Sequence, residues 1–283
     1  MRTFAHIVNP ARVTPSSDLY VAQPITFASM KNARDYATGI VNVSLLSAQY
    51  PEDHEVIPDY FHVTPDLERS VLDVGRFDVK RKLPLVKDIL DRAYNTIESD
   101  YIIFTNVDIG LLPNFYVTVN RIVDAGFDAF VINRRSIPKT YTSVEDIPLM
   151  LAEIGEKHKG FDCFIFKREI YRNFVLGLIS VGAPFVGKAI LVNQIVHATQ
   201  VKVFFDFHLT FHIGNDKVWS SKTLKDYQTH NLGEFKKILD RFDAYHHPLV
   251  KKYIEIPGQK TLPKKIKATL TRFQRHICNS IET

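Results

Sequence analysis

Short apolar runs of strand length alternate along this chain with longer stretches whose apolar residues recur every three or four positions. That alternation is the signature of strands laid into a common sheet and joined by helical crossovers. Thr3–Val8 reads as a first strand, stopped where Asn9-Pro10 removes a ladder donor. Residues 24–37 carry Ile25, Met30, Ala33 and Ala37 at helical spacing, with Pro24 placed near the first turn. A second strand is expected over 40–46 and a proline-bearing, mostly irregular segment over 51–79. Leu85, Ile89, Leu90, Ala93 and Ile97 then mark one helix face over 84–97. Tyr101–Thr105 and Ala129–Ile132 are buried-type strands, with a helix around Phe115, Val119, Ile122 and Val123 between them. The second half predicts a strand over 163–166, helices over 168–176 and 187–198, β-rich runs over 201–205 and 208–213, and a helix over 232–242. The class is α/β: a mixed, mainly parallel sheet with helices on both faces. Such sheets bind ligands in the crevice outside the carboxyl ends of their strands.

Charge separates the body of the chain from its end. The 283 residues carry a formal +5, but residues 251–283 alone hold eight Lys and Arg against two Glu. The remaining 250 residues are close to neutral, which argues against a nucleic-acid surface. Over 264–281, Ile266, Leu270, Phe273, Ile277 and Ile281 fall on one helical stripe flanked by Lys264, Lys265, Lys267, Arg272 and Arg275. A basic amphipathic helix of this kind suits an anionic membrane surface, and suits somewhat better packing on the protein's own core with its cations in water. No run of 18 apolar residues and no secretory h-region occur, and Cys163 and Cys278 sit far apart in unlike contexts. The expectation is a cytoplasmic protein with two free thiols, peripheral at a membrane if the tail engages one. There is no dinucleotide-binding or P-loop glycine pattern, no C-x-x-C pair and no nucleophile elbow.

One segment concentrates the chemistry. In Asp100-Tyr101-Ile102-Ile103-Phe104-Thr105-Asn106-Val107-Asp108, a buried strand delivers Asn106 and Asp108 at its carboxyl end. If the chain stays extended there, both side chains point to one side. Two oxygen donors at that spacing suit a hard divalent cation, and such a cation can neutralise a departing diphosphate. The same residues also fit a strand ending in an ordinary turn.

The segment resembles the DxD-bearing strand of the GT-A-fold glycosyltransferases, the nucleotide-diphospho-sugar transferases. Three further stretches resemble the same family in order: the helix from Arg81-Lys82-Leu83-Pro84 onward, Gly160-Phe161-Asp162-Cys163-Phe164, and Leu209-Thr210-Phe211-His212-Ile213-Gly214-Asn215-Asp216. The resemblance implies a single GT-A-like, Rossmann-like catalytic domain over 1–245, with a nucleotide-binding half at 1–135 and an acceptor half at 136–245. Residues 246–283 then form the basic extension. It implies transfer of a sugar from a nucleotide-diphosphate donor to a glycan or lipid-linked hydroxyl, assisted by Mn2+ or Mg2+ on Asp108 and His212. Asn9, Pro10 and Ser47 would meet the nucleoside, and Asn106, Arg81 and Lys82 the ribose and diphosphate. Asp162 and Asp216 are the candidates for acid–base work, because residues 182–190, where the family often places its base, contain no carboxylate. The sequence departs from the family at Asn106, where an amide replaces the first acid and weakens the expected metal site. That departure also admits a catalytically degenerate binding or scaffold protein. Sugar-phosphate nucleotidyl transfer is a third reading, disfavoured because residues 9–17 hold no glycine.

Overall fold

The computed structural model describes residues 1–215 and 224–256. Seven strands make the main sheet: β1 (Thr3–Val8), β2 (Asn42–Ser47), β3 (His62–Val63), β4 (Tyr101–Thr105), β6 (Ala129–Ile132), β9 (Cys163–Lys167) and β10 (Val201–Phe204). They lie in the order β10-β6-β9-β4-β1-β2-β3. The pairs β1–β2, β1–β4, β2–β3 and β6–β10 are parallel, whereas β9 runs antiparallel to both β4 and β6. A smaller sheet orders β5 (Gly110–Leu111), β11 (Thr210–Ile213), β7 (Arg135–Ile137) and β8 (Glu156–Lys157). This is the mixed, mainly parallel α/β architecture that the alternation predicts.

Period-two alternation divides the core into two layers. From β1, Ala5 and Ile7 join one apolar cluster while Phe4 and Val8 join the other. From β4, Ile102 and Phe104 face the first, and Tyr101 and Ile103 the second. The first layer is covered by α2 (Val86–Thr96), α6 (Val186–His197), α7 (Lys225–Arg241) and α8 (Pro248–Tyr253), and the second by α1 (Leu19–Tyr36) and α3 (Phe115–Asp124). Two further short helices, α4 (Ile147–Ala152) and α5 (Arg168–Tyr171), lie in the connections.

Four boundaries differ from the sequence expectation. α1 begins at Leu19, so Pro24 lies inside the helix rather than near its start. A proline there forfeits one bond to the carbonyl four residues back, at a point where both Tyr20 and Pro24 are exposed. The helix expected over 168–176 ends at Tyr171, because Asn193 takes both backbone groups of Val175, its Oδ1 accepting from the nitrogen at 2.6 Å and its Nδ2 donating to the carbonyl at 2.8 Å. α7 starts seven residues earlier than its apolar stripe suggests, since Tyr227 is the one buried apolar residue in its first two turns. His208 precedes β11 in a turn instead of belonging to the strand. Beyond His246 the described chain continues into α8 and buries Val250, Ile254 and Ile256 against the first layer. Among the described residues no helix is long and apolar enough to cross a membrane.

Candidate active site

The carboxyl ends of β1, β2 and β4 open onto one cleft of about 450 Å³. One wall is the segment Asn9-Pro10-Ala11-Arg12 after β1, another is Tyr50, Glu52 and Asp53 after β2, and a third is Lys82-Leu83-Pro84 ahead of α2. Thr105, Asn106 and Asp108 form its floor, and Val181 and Gly182 close one side.

The strand that carries Asn106 and Asp108 does not stay extended. β4 stops at Thr105, and the Ile109 nitrogen donates to the Asn106 carbonyl at 3.2 Å, closing a turn. The expectation that alternation aims both side chains one way is therefore replaced by a turn that leaves Asn106 exposed and Asp108 half-buried. The reason lies downstream: the chain must leave the main sheet to pair β5 with β11, where Gly110 faces Phe211. Both residues nevertheless line the same cleft.

Asp108 meets His212 across the two sheets. Asp108 Oδ2 lies 3.2 Å from His212 Nε2, and His212 Nδ1 lies 2.9 Å from the Gly214 carbonyl. A carbonyl only accepts, so Nδ1 carries a proton and Nε2 is the nitrogen turned to the carboxylate. A ring lone pair and a carboxylate oxygen hold together at that distance only with a proton or a metal cation between them. The other carboxylate oxygen, Asp108 Oδ1, is buried without a hydrogen-bond partner. Burial pushes the Asp108 carboxyl up, but the His212 hydrogen bond, the His212 charge and the Arg134 guanidinium together hold it below the usual carboxylate range. One carboxylate and one imidazole, with an orphan oxygen, fit a divalent cation that draws its other ligands from phosphate and water. Among the described residues no group of three His, Cys, Asp or Glu side chains assembles, so the protein's own share of such a site is this pair with the Asn106 amide nearby.

The remaining sequence candidates separate into cleft and scaffold. Asn9 lines the cleft while its Nδ2 donates to the Ala48 carbonyl at 2.7 Å, tying the ends of β1 and β2 together. Pro10 lines it too. Ser47 is fully buried and its hydroxyl donates to Gln49 Oε1 at 2.8 Å, outside the cleft wall. Lys82 stands in the wall, 2.5 Å from Glu52 Oε1 and 3.9 Å above the Tyr50 ring. Arg81 is exposed and does not line the cleft; its backbone nitrogen donates to the Tyr227 hydroxyl at 2.8 Å. Asp216 lies outside the described residues.

Asp162 sits just before β9, whose first residue, Cys163, pairs with Thr105 on β4 and Ile132 on β6. Its partner is Arg134, 3.3 Å away, with His158 Nε2 at 3.9 Å. Arg134 and Asp162 are both buried, and Arg134 Nε, Asp162 Oδ2 and Asn133 Oδ1 lack hydrogen-bond partners. None of these residues lines the cleft itself; the cluster is joined to it through Cys163, which pairs with the cleft residue Thr105.

Sequence reasoning passes over Arg12, Tyr50, Asp53, Arg134 and His158. Asp53 accepts from the Arg12 nitrogen at 2.7 Å and the Tyr50 nitrogen at 3.3 Å, so it shapes the cleft's upper wall. Burial pushes its carboxyl up against those two bonds. The run Asn133-Arg134-Arg135, directly after β6, is open to the same rule that picks out Asn106 and Asp108.

No family model matches the sequence, and no curated protein matches it. Among solved structures, the chain is similar to Staphylococcus aureus TarS crystallised with UDP-GlcNAc, at 8% identity and a TM-score of 0.47, over 90% of this chain and 77% of that one. It is also similar to glucosyl-3-phosphoglycerate synthase from Mycobacterium tuberculosis. The complex of that enzyme with phosphoglyceric acid gives 15% identity and a TM-score of 0.48, over 86% of this chain and 80% of that one. Its complex with Mn2+, UDP-glucose and phosphoglyceric acid gives 13% and 0.44, over 83% and 80%. At these identities the likeness concerns the path of the chain alone.

Proposed function

We propose that the protein is a glycosyltransferase that moves a sugar from a nucleotide-diphosphate donor to a hydroxyl of a glycan or lipid-linked acceptor. The observation that carries this reading is Asp108 in the floor of a cleft walled by the ends of β1 and β2, with His212, which does not itself line the cleft, 3.2 Å from its Oδ2. The resemblance of the sequence motifs to GT-A transferases supports it, and the ligands named for TarS and the synthase are of the same chemical class.

In this reading the turn at Asn9-Pro10 and the Tyr50 side receive the nucleoside, and Lys82 turns from Glu52 toward the diphosphate. An ammonium exposed in the wall and held by one surface ion pair can exchange partners at little cost. Asp108 and His212 would hold Mn2+ or Mg2+, which supplies neutralisation of the leaving diphosphate's charge. Arg134 keeps the Asp162 carboxylate fixed at the mouth of β9, where it faces the sugar or acceptor. Asp216 is retained as a second acid–base candidate. The basic segment 264–281 would hold the enzyme near an anionic membrane when the acceptor is lipid-linked.

Calorimetric titration with UDP and GDP, with and without Mn2+, tests the reading. Binding in the micromolar to millimolar range that strengthens with Mn2+, and loses that increment in Asp108→Ala, is expected. No binding at millimolar nucleotide would overturn it in favour of a protein without nucleotide-sugar chemistry.

A further inference from the structure

The carboxyl end of β10 carries an aromatic edge that the proposed chemistry does not use. Phe205 and Phe207 are 45% and 37% exposed, and they are the only exposed phenylalanines among the described residues. Phe207 stacks on Phe204 with centroids 4.5 Å apart, and Phe205 approaches Tyr253 of α8 at 6.0 Å. Rings therefore stand on both sides of this edge strand. Cations accompany them: the Lys202 ammonium lies 4.9 Å from the Phe204 ring and Lys252 lies 4.9 Å from the Tyr253 ring, with Lys251 exposed beside it. The acid within the run, Asp206, is bound by both Arg135 and Lys157. The edge is apolar and cationic: against Lys202, Lys251 and Lys252 its acids are Asp206, held by Arg135 and Lys157, and Glu255, exposed two residues beyond Tyr253.

Its position is informative. β10 is parallel to β6, and β9 runs antiparallel to both β6 and β4, so the ends of β10 and β4 point the same way. Three strand spacings separate them, about 14 Å. The aromatic edge and the cleft thus open on one side of the molecule. The described chain also ends beside this edge, three residues after Tyr253. The sequence that follows it is the basic, amphipathically spaced segment 264–281.

We propose that Phe205, Phe207 and Tyr253, with Lys202, Lys251 and Lys252, form a docking surface for an anionic lipid bilayer. This surface turns the cleft toward the headgroups. Aromatic rings with snorkelling lysines are the chemistry of the bilayer interface, where each ring trades water for acyl chain while the ammonium meets lipid phosphate. The proposal concerns a surface and stands whether or not the cleft transfers sugar.

The test is sedimentation of the full chain with vesicles of phosphatidylcholine alone or with 30% phosphatidylserine. Wild type is expected to bind the anionic vesicles and not the neutral ones. Phe205→Ser/Phe207→Ser is expected to lower partitioning about tenfold or more, and Phe205→Trp/Phe207→Trp to hold or strengthen it. A full-length variant with Lys264, Lys265, Lys267, Arg272 and Arg275 all changed to Gln is expected to weaken binding separately. Circular dichroism melts identical to wild type confirm that each variant is folded. Wild-type partitioning of the Ser variant would overturn the proposal, leaving the basic segment as sole anchor, as would failure of the wild type to bind anionic vesicles. If the Ser variant keeps vesicle binding yet loses binding of a soluble oligosaccharide in equilibrium dialysis, the edge is a glycan platform and the proposal falls.

Discussion

The ring of Phe211 occupies the space into which a Cβ on Gly110 would project, with ring atoms as close as 2.3 Å to that position. This contact sits two residues beyond Asp108 and one before His212, so packing between two short strands sets the spacing between Asp108, in the cleft floor, and His212. Gly110→Ala should therefore push Phe211 aside and open the Asp108–His212 contact. A destabilisation of about 1–3 kcal/mol is expected from overpacking, together with a loss of Mn2+-linked nucleotide affinity. Urea denaturation and calorimetry would read both, and Phe211→Leu in the same chain should restore part of each. Unaltered Mn2+ dependence in Gly110→Ala would show that the floor does not depend on this contact.

His6 makes the fold acid-sensitive. It is fully buried, with Nδ1 2.8 Å from the Tyr116 hydroxyl and Nε2 3.0 Å from the Thr105 hydroxyl. Burial lowers its pKa from 6.5 to about 3. The folded ring stays neutral down to that pH, whereas the unfolded ring takes up a proton below 6.5. Stability from this residue is thus complete above pH 6.5 and is lost progressively between 6.5 and about 3, by about 2–3 kcal/mol at pH 4.5. His6→Gln removes the titration, so the stability gap between wild type and variant should narrow by that amount from pH 7 to 4.5. A gap independent of pH in urea titrations would contradict this account.

Arg134 and Asp162 form a buried pair, with side chains 10% and 8% exposed. Removing Arg134 leaves the Asp162 carboxylate buried with only the more distant His158, at 3.9 Å, near it. Arg134→Met alone should cost about 3–5 kcal/mol, and Arg134→Met with Asp162→Leu much less than the sum of the singles. A double-mutant cycle by chemical denaturation measures the coupling. Additive single costs would mean that the two groups are held by other contacts.

Asn231 latches the side of the cleft formed by Val181 and Gly182. Its Oδ1 accepts from the Ser180 nitrogen at 3.0 Å, and its Nδ2 donates to the carbonyls of Ser180 at 2.9 Å and Pro184 at 3.0 Å. Asn231→Ala strands three backbone groups and should cost about 2–4 kcal/mol. It should also raise hydrogen exchange at 178–184 more than at β1 or β4. Uniform exchange across these segments would deny the latch its local role.

Much of the fold is legible in the sequence because its strands are short, apolar and flanked by turn residues. The two-layer core follows from residues such as Phe4 and Ala5, which alternation alone assigns to opposite faces of β1. α7 is less legible because its first turns are polar and its position is fixed by Tyr227 and by Asn231, a hydrogen-bonding residue without an apolar signature. In the site, Asp108, Asn106, Asn9, Pro10 and Lys82 are visible as residues at strand ends or ahead of a helix. Ser47 has the same signature and turns inward, because Gln49 captures its hydroxyl. Arg134 is hidden for the converse reason: its role depends on Asp162, 28 residues away, and only the sheet brings them together.

The reversed strand β9 has a consequence for how the molecule can be made. β4 and β6 are not neighbours; each pairs with β9, which among the described residues is the only bridge between the β6–β10 pair and the rest of the main sheet. During synthesis the segments holding Asp108 and Arg134 are both complete before residue 163 is added, yet neither can be placed relative to the other until β9 inserts. Until then β4 and β6 each present an unpaired edge of buried-type residues, open to wrong partners. The rate-setting event in folding is expected to be the arrival of these five residues. A chain ending before Lys167 would be prone to aggregate, whatever the stability of its earlier helices.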